Sequence, residues 1–310
     1  MTGQFGRRPP KNAPAIPFRA VRDAGVLPPH PESYDSISGM TGWLMLGNAQ
    51  AGDCVAVTWA TIRRIMTHGV TYPSLDMVTE VYKTQNPSFD WNGGSRTGPG
   101  SAADGGMEIQ TLLEHLVKVG GPDGVKAIAF AKVDHTNLEE LKAALATFGC
   151  LWLGVNVTDV NQQEFPDQPW TTDGSVEGGH SITGTGYDAL RVLMETWASE
   201  AALADAYVTT TKAANGGAGV EEAWVVLWPE HAAGLTDAQK AALAAAYMEV
   251  TGKTIVWPDA PPPAPVPIPG YPDAALAAVA HPWVRHLHTS IAGNSKMRAA
   301  LKTWLAEKGL

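Results

Sequence analysis

After Gly52 the apolar residues Val55, Trp59, Ile62 and Met66 recur at helical spacing, with Asp53 placed to cap the free N–H groups and Gly69 suited to the left-handed position past the end. Cys54 thus falls in the first turn of a buried helix. Residues 92–106 are Gly-rich and read as loop, and MEIQTLLEHLVKVGG reads as a second amphipathic helix ended by glycines. Beyond it the period shortens: VKAIAFAKV, CLWLGVNV, HSITGTGYD, RVLMETW and EAWVVLWP alternate as antiparallel strands do, with NLEELKAALATFG as a short helix after the first. The pattern predicts an α+β domain over residues 41–232, helical first and β later.

The flanking segments differ in kind. Residues 1–40 carry seven prolines and little periodicity, so they are expected to form an extended arm that gains order by lying on this domain or on a partner. Thr236 and Gln239 form a capping box opening a helix through about Tyr247, within a helical extension over residues 233–259. Residues 260–270 are a stiff Pro-rich linker, and residues 271–310 are a small helical tail with Asn294 as N-cap and Met297, Leu301, Trp304 and Leu305 on one face. About 40 residues bury little by themselves, so the tail is expected to dock.

Composition narrows the function classes. A chain of 310 residues that is 45% apolar holds one main core plus appendages. Its net charge of −9 offers no general attraction to phosphate backbones or anionic membrane surfaces, and it has no run of 18 apolar residues, so neither nucleic acid nor membrane is an expected partner. The first residues lack the apolar stretch of a secretory signal, which predicts folding in a cytoplasm.

The two cysteines, Cys54 and Cys150, are far apart and match no disulfide framework or metal spacing, so no cofactor is expected. His281, His286 and His288 lack a Cys or close carboxylate and read as surface residues. Cys150 begins an apolar strand and reads as a core thiol. Tryptophans are assigned to the core except Trp91 and Trp170, which lie outside the predicted elements.

A helix N-terminus favours the thiolate, more so beside an imidazolium, which makes Cys54 a candidate nucleophile. Asp53 opposes thiolate formation unless occupied as a cap. His180 stands in GGHSITGTGYD, where two glycines lead into a strand, and is the candidate base.

The order of these pieces resembles the papain-like cysteine peptidases over roughly residues 43–230: GDCVAVTWA, DGGMEIQTLLEHL, LEELKAALATFGCLWLGVNV, GGHSITGTGYD and VLMETW. The resemblance implies Cys54 as nucleophile and His180 as base. Asn48, six residues before Cys54, takes the place of the family's oxyanion-donating Gln, with Gln50 as substitute. Glu195 takes the place of the Asn that orients the histidine, and Trp197 shields that hydrogen bond. The Cys-Gly-Ser-Cys-Trp signature of the plant and lysosomal enzymes is absent. The chain is more similar to papain-like proteins encoded in phage and bacterial genomes, which share the LGN…GDC pattern.

Two functions follow from the resemblance. One is an active cysteine peptidase or amidase cutting peptides, either peptidoglycan cross-bridges or phage proteins. The other is a virion structural protein, in a host cytoplasm or incorporated in the virion, that keeps the domain while residues 1–40 and 271–310 bind other virion proteins or further copies of the chain.

Overall fold

The computed structural model describes residues 3–21, 30–91, 103–232, 235–252 and 254–257. The chain divides into two units, 1–262 and 263–310. The second unit lies outside the described residues, and so do the Pro-rich linker, the small tail and the three histidines assigned to it.

Three longer helices precede the long strands, after a four-residue helical turn at Phe18–Val21. α1 (Cys54–Met66) buries Val55, Trp59 and Ile62, the face its spacing predicts. Two expectations at its ends are refined. Asp53 is the N-cap residue but makes no side-chain cap bond. At the other end, Gly69 has φ +78° and its N–H bonds Arg64 O, which closes the helix as a left-handed glycine does. α2 (Leu75–Lys83) was not anticipated, although Ser74 accepts from Met77 N as an N-cap and Val78, Val81 and Tyr82 share a buried face. α3 (Ile109–Lys118) buries Ile109, Leu112, Leu113 and Leu116.

The β half has six longer strands: β1 (Ala129–Val133), β2 (Leu151–Thr158), β3 (Val176–Tyr187), β4 (Arg191–Thr196), β5 (Ser199–Ala204) and β6 (Gly219–Leu227). Their order is β1-β6-β2-β3-β4-β5, every pairing is antiparallel, and Tyr34–Asp35 adds a short strand beside β3. β5 went unread because SEAALA is poor in strand-favouring residues. It forms because Trp197 and Ala198, at φ +48° and +60°, make the tight turn that folds it onto β4. α4 (Leu138–Phe148) is capped by the Asn137 side chain and ends at Gly149 in the left-handed region.

Strand alternation divides the interior. Trp152 and Trp224, directly opposite each other on β2 and β6, join the helical core of α1, α2 and α3, while Leu153 and Val155 join Leu141, Leu145 and Phe148 of α4 on the other side. Trp170, not assigned to the core from sequence, is fully buried beside Trp197 and Tyr207, whereas Trp91 is half-buried and donates to Thr79. α5 (Asp237–Thr251) supplies the helix expected after residue 236, and Tyr247 packs on the sheet-side core. No helix among the described residues is long and apolar enough to cross a membrane.

Arg63 ties the halves together. Its buried guanidinium pairs with Asp123 at 2.7 Å and Glu230 at 2.6 Å and lies 4.7 Å from the Trp228 ring. Arg63→Ala is expected to cost about 3 kcal/mol, because two carboxylates lose their cation together. Urea unfolding at neutral pH measures the loss.

Candidate active site

Cys54 opens α1 and is buried. The backbone N–H groups of Ser181 and Gly6 reach its thiol. His180, the residue before Ser181, stands on β3 opposite Val155. The two halves are locked at this point by a chain of buried hydrogen bonds. Trp152 Nε1 donates to Ser181 Oγ, Ser181 Oγ to Thr58 Oγ1, and Thr58 Oγ1 to Cys54 O, each at 2.9 Å. The helix start carrying the thiol is therefore held to the strand carrying the imidazole. One cavity is lined by Cys54 and His180 together with Asn48, Glu195, Thr196 and Trp197.

His180 Nε2 hydrogen-bonds Thr196 Oγ1 at 2.7 Å, and Nδ1 has no partner. The Trp197 ring lies 4.6 Å from the imidazole, centroid to centroid, at 32°. Glu195 lines the same cavity, but its carboxylate accepts from Thr61 Oγ1 of α1 at 3.0 Å. Strand geometry explains this division. Thr183 stands directly opposite Glu195, and His180 is an odd number of residues from Thr183, so His180 shares a face with Thr196 and not with Glu195. The hydrogen bond on the imidazole thus comes from the residue after the one expected.

Asn48 is buried, and its Nδ2 donates to Gln4 O at 3.0 Å and Ala51 O at 3.1 Å. Gln50, the substitute donor, is exposed and is not among the residues lining the cavity.

Electrostatics keep the site neutral as it stands. Burial pushes the Cys54 thiol up to about 12, against lowering contributions from the Ser181 N–H and from Arg7. Burial pulls His180 down to about 3, and the nearby Arg7 charge adds to this. Burial also holds Asp53 well above the ordinary carboxylate range, and Asp53 in turn adds to the rise of the Cys54 thiol. Cys150 is likewise raised by burial to about 12, within the helical core.

What covers the thiol is residues 3–8, part of the segment expected to be an extended arm that lies on this domain or on a partner. Gln4 N donates to Asn48 O at 2.6 Å, Gly6 N and Arg7 N to Gly179 O at 3.3 and 3.1 Å, and Met107 N to Gly6 O at 2.8 Å. Phe5 packs edge-on against His180, with centroids 6.1 Å apart, and is tilted against Trp197.

No family model matches the sequence, and no curated protein is significantly similar to it. Solved structures do match. Xylellain, a cysteine protease from Xylella fastidiosa, is similar with a TM-score of 0.52 at 17% identity, covering 73% of this chain and 96% of that one. Procathepsin L2 from Tenebrio molitor larval midgut aligns at TM-score 0.48 and 15% identity over 70% of this chain and 74% of that one. Procathepsin B from Trypanosoma congolense aligns at 0.47 and 14% over 72% and 86%. The fold is papain-like, with helices packed on an antiparallel sheet as anticipated.

Proposed function

We propose that the cavity is the active site of a cysteine peptidase or amidase, with Cys54 as nucleophile and His180 as base. The observation that supports it is the convergence of a buried helix-start thiol and an imidazole with a free Nδ1 in one cavity, under a stacked indole. In the tautomer where Nε2–H donates to Thr196 Oγ1, Nδ1 carries the lone pair that a general base requires. Thr196 is therefore the positioning residue, and Glu195 acts on the helix through Thr61.

Cys54 Sγ attacks the carbonyl carbon as His180 Nδ1 takes its proton. The oxyanion receives Asn48 Nδ2 and the Cys54 backbone N–H. The C–N bond breaks, the amine leaves with the proton from His180, and an acyl-thioester remains. Water, deprotonated by His180, then releases the acid and the thiol. Asn48 Nδ2 already binds a main-chain carbonyl, that of Gln4, which supports a polypeptide as the substrate.

Labelling by iodoacetamide at pH 7, mapped by mass spectrometry, tests the reading. Cys54 is expected to react at least ten times faster than Cys150, because only Cys54 shares a cavity with an imidazole and has a cover that can lift. Equal rates would sink the enzyme reading and leave the attachment-protein reading standing.

A further inference from the structure

The best-anchored residue of the covering segment is Arg7. Its guanidinium is 1% exposed and makes four bonds in a pocket of β2 and β6: Nη2 to Glu221 Oε2 at 2.6 Å, to Asn156 Oδ1 at 2.7 Å and to Val155 O at 3.4 Å, and Nη1 to Glu222 Oε1 at 3.4 Å. The pocket is built around this side chain. Asn156 is fixed from behind, donating to Ala213 O and Gly217 O at 3.1 Å, and Glu222 Oε2 accepts from Trp224 Nε1 at 2.8 Å. A Cβ at Gly154 would lie 2.8 Å from Arg7 Cδ, so the glycine clears the floor. Without the arginine, the buried Glu222 and the neighbouring Glu221 would both lose their ion-pair partner, and Glu222 would keep only the weaker influence of Lys132.

The residue before the arginine is selected as sharply. A Cβ on Gly6 would lie 1.8 Å from Gly52 O, a backbone atom that no side-chain rotation can move away. The cleft at this point admits glycine alone, and both its walls bond main chain: Gly179 O on one side, Met107 N on the other.

We propose that the cleft is a recognition site for extended peptides carrying Gly-Arg, with Glu221, Glu222 and Asn156 as the arginine pocket, and that residues 3–8 occupy it in cis. The proposal rests on the active-site reading above and gives it a substrate class. It also makes the segment a cover whose departure exposes Cys54 and leaves the pocket open to a peptide of the same kind.

The test uses the full-length chain with Gly6→Leu, which the Gly52 carbonyl excludes from the cleft. The readout is the rate of Cys54 alkylation by iodoacetamide. The variant is expected to react at least ten times faster than wild type. A synthetic peptide of residues 3–12, GQFGRRPPKN, added in trans, is expected to restore protection. The same peptide with Arg7→Gln should need at least ten times the concentration, and so should the original peptide against a chain that also carries Glu221→Gln and Glu222→Gln. The Arg7→Glu chain is a second releasing variant, and adding Glu221→Lys to it should restore protection by re-forming the pair with reversed charges.

Unchanged alkylation in both releasing variants, or equal protection by the Arg and Gln peptides, would overturn the proposal. Protection by the Arg peptide with no hydrolysis of any Gly-Arg peptide by the released chain would keep the pocket and remove the peptidase reading.

Discussion

His180→Ala, made in the Gly6→Leu chain, is expected to lower peptide turnover by about 10³-fold, the usual contribution of a general base. The thiol remains but must ionise unaided, so the rate of Cys54 alkylation should follow thiol titration at alkaline pH instead of levelling off where the imidazole titrates. Thr196→Val should fall between the two, because it leaves the ring in place and removes the partner of Nε2 that fixes which nitrogen is basic. Its signature is a change in the pH profile, which loss of packing alone would not produce. Glu195→Gln should stay within a few-fold of the parent, since its carboxylate contacts Thr61 of α1. A His180→Ala chain within ten-fold of its parent, or a Glu195→Gln chain as damaged as Thr196→Val, would refute this assignment of roles.

That contrast marks how far the sequence could be read. Cys54 and His180 were legible from local signatures, a helix start and a glycine pair before a strand, whereas Asn48 and Trp197 came only from what the family resemblance implies. Choosing between Glu195 and Thr196 requires the register of β3 against β4, and that register is set by tertiary pairing. Asp53 misled for a similar reason. A carboxyl group before a helix normally caps, but here it is buried beside Asn48, held above the ordinary carboxylate range by that burial, and without a cap bond.

The covering segment was the least legible part. A proline-rich stretch with few apolar residues carries no core signal, and its partners stand far off, Glu222 being 215 residues from Arg7. Nothing near Gly6 says that Gly52 and Gly106 approach it closely enough to exclude a side chain. The two glutamates of β6 carry no local signature of a cation site. Only the sheet order, which sets β6 beside β2 and its Asn156, turns them into a cation site.

The same buried groups set the pH range in which the fold is stable. His180 and His231 are held at about 3 and about 4 by burial, against an ordinary 6.5. Below pH 6.5 the unfolded chain binds protons that the folded chain refuses, so their stabilisation is present above 6.5 and is lost as pH falls toward 4 and 3. Glu195 is raised by burial to about 8 from 4.5, and Asp53 is raised in the same direction, so their stabilisation is present below the unfolded value and is lost as pH rises. From pH 4.5 to 6.5 the two slopes oppose each other, which predicts a plateau there with a decline on either side. Glu195→Gln keeps an acceptor for Thr61 and cannot ionise, so it should remove one alkaline slope. Relative to wild type, the variant should gain up to about 4 kcal/mol between pH 5 and pH 9, since about 3 units at ~1.4 kcal/mol per unit separate pH 5 from the folded value of about 8. Urea unfolding of both chains at pH 5, 7 and 9 reads the gain directly, and any constant packing difference cancels between pH values. A wild-type-to-variant difference that is the same at all three would mean that Glu195 titrates normally and that the cavity beside Cys54 is wet.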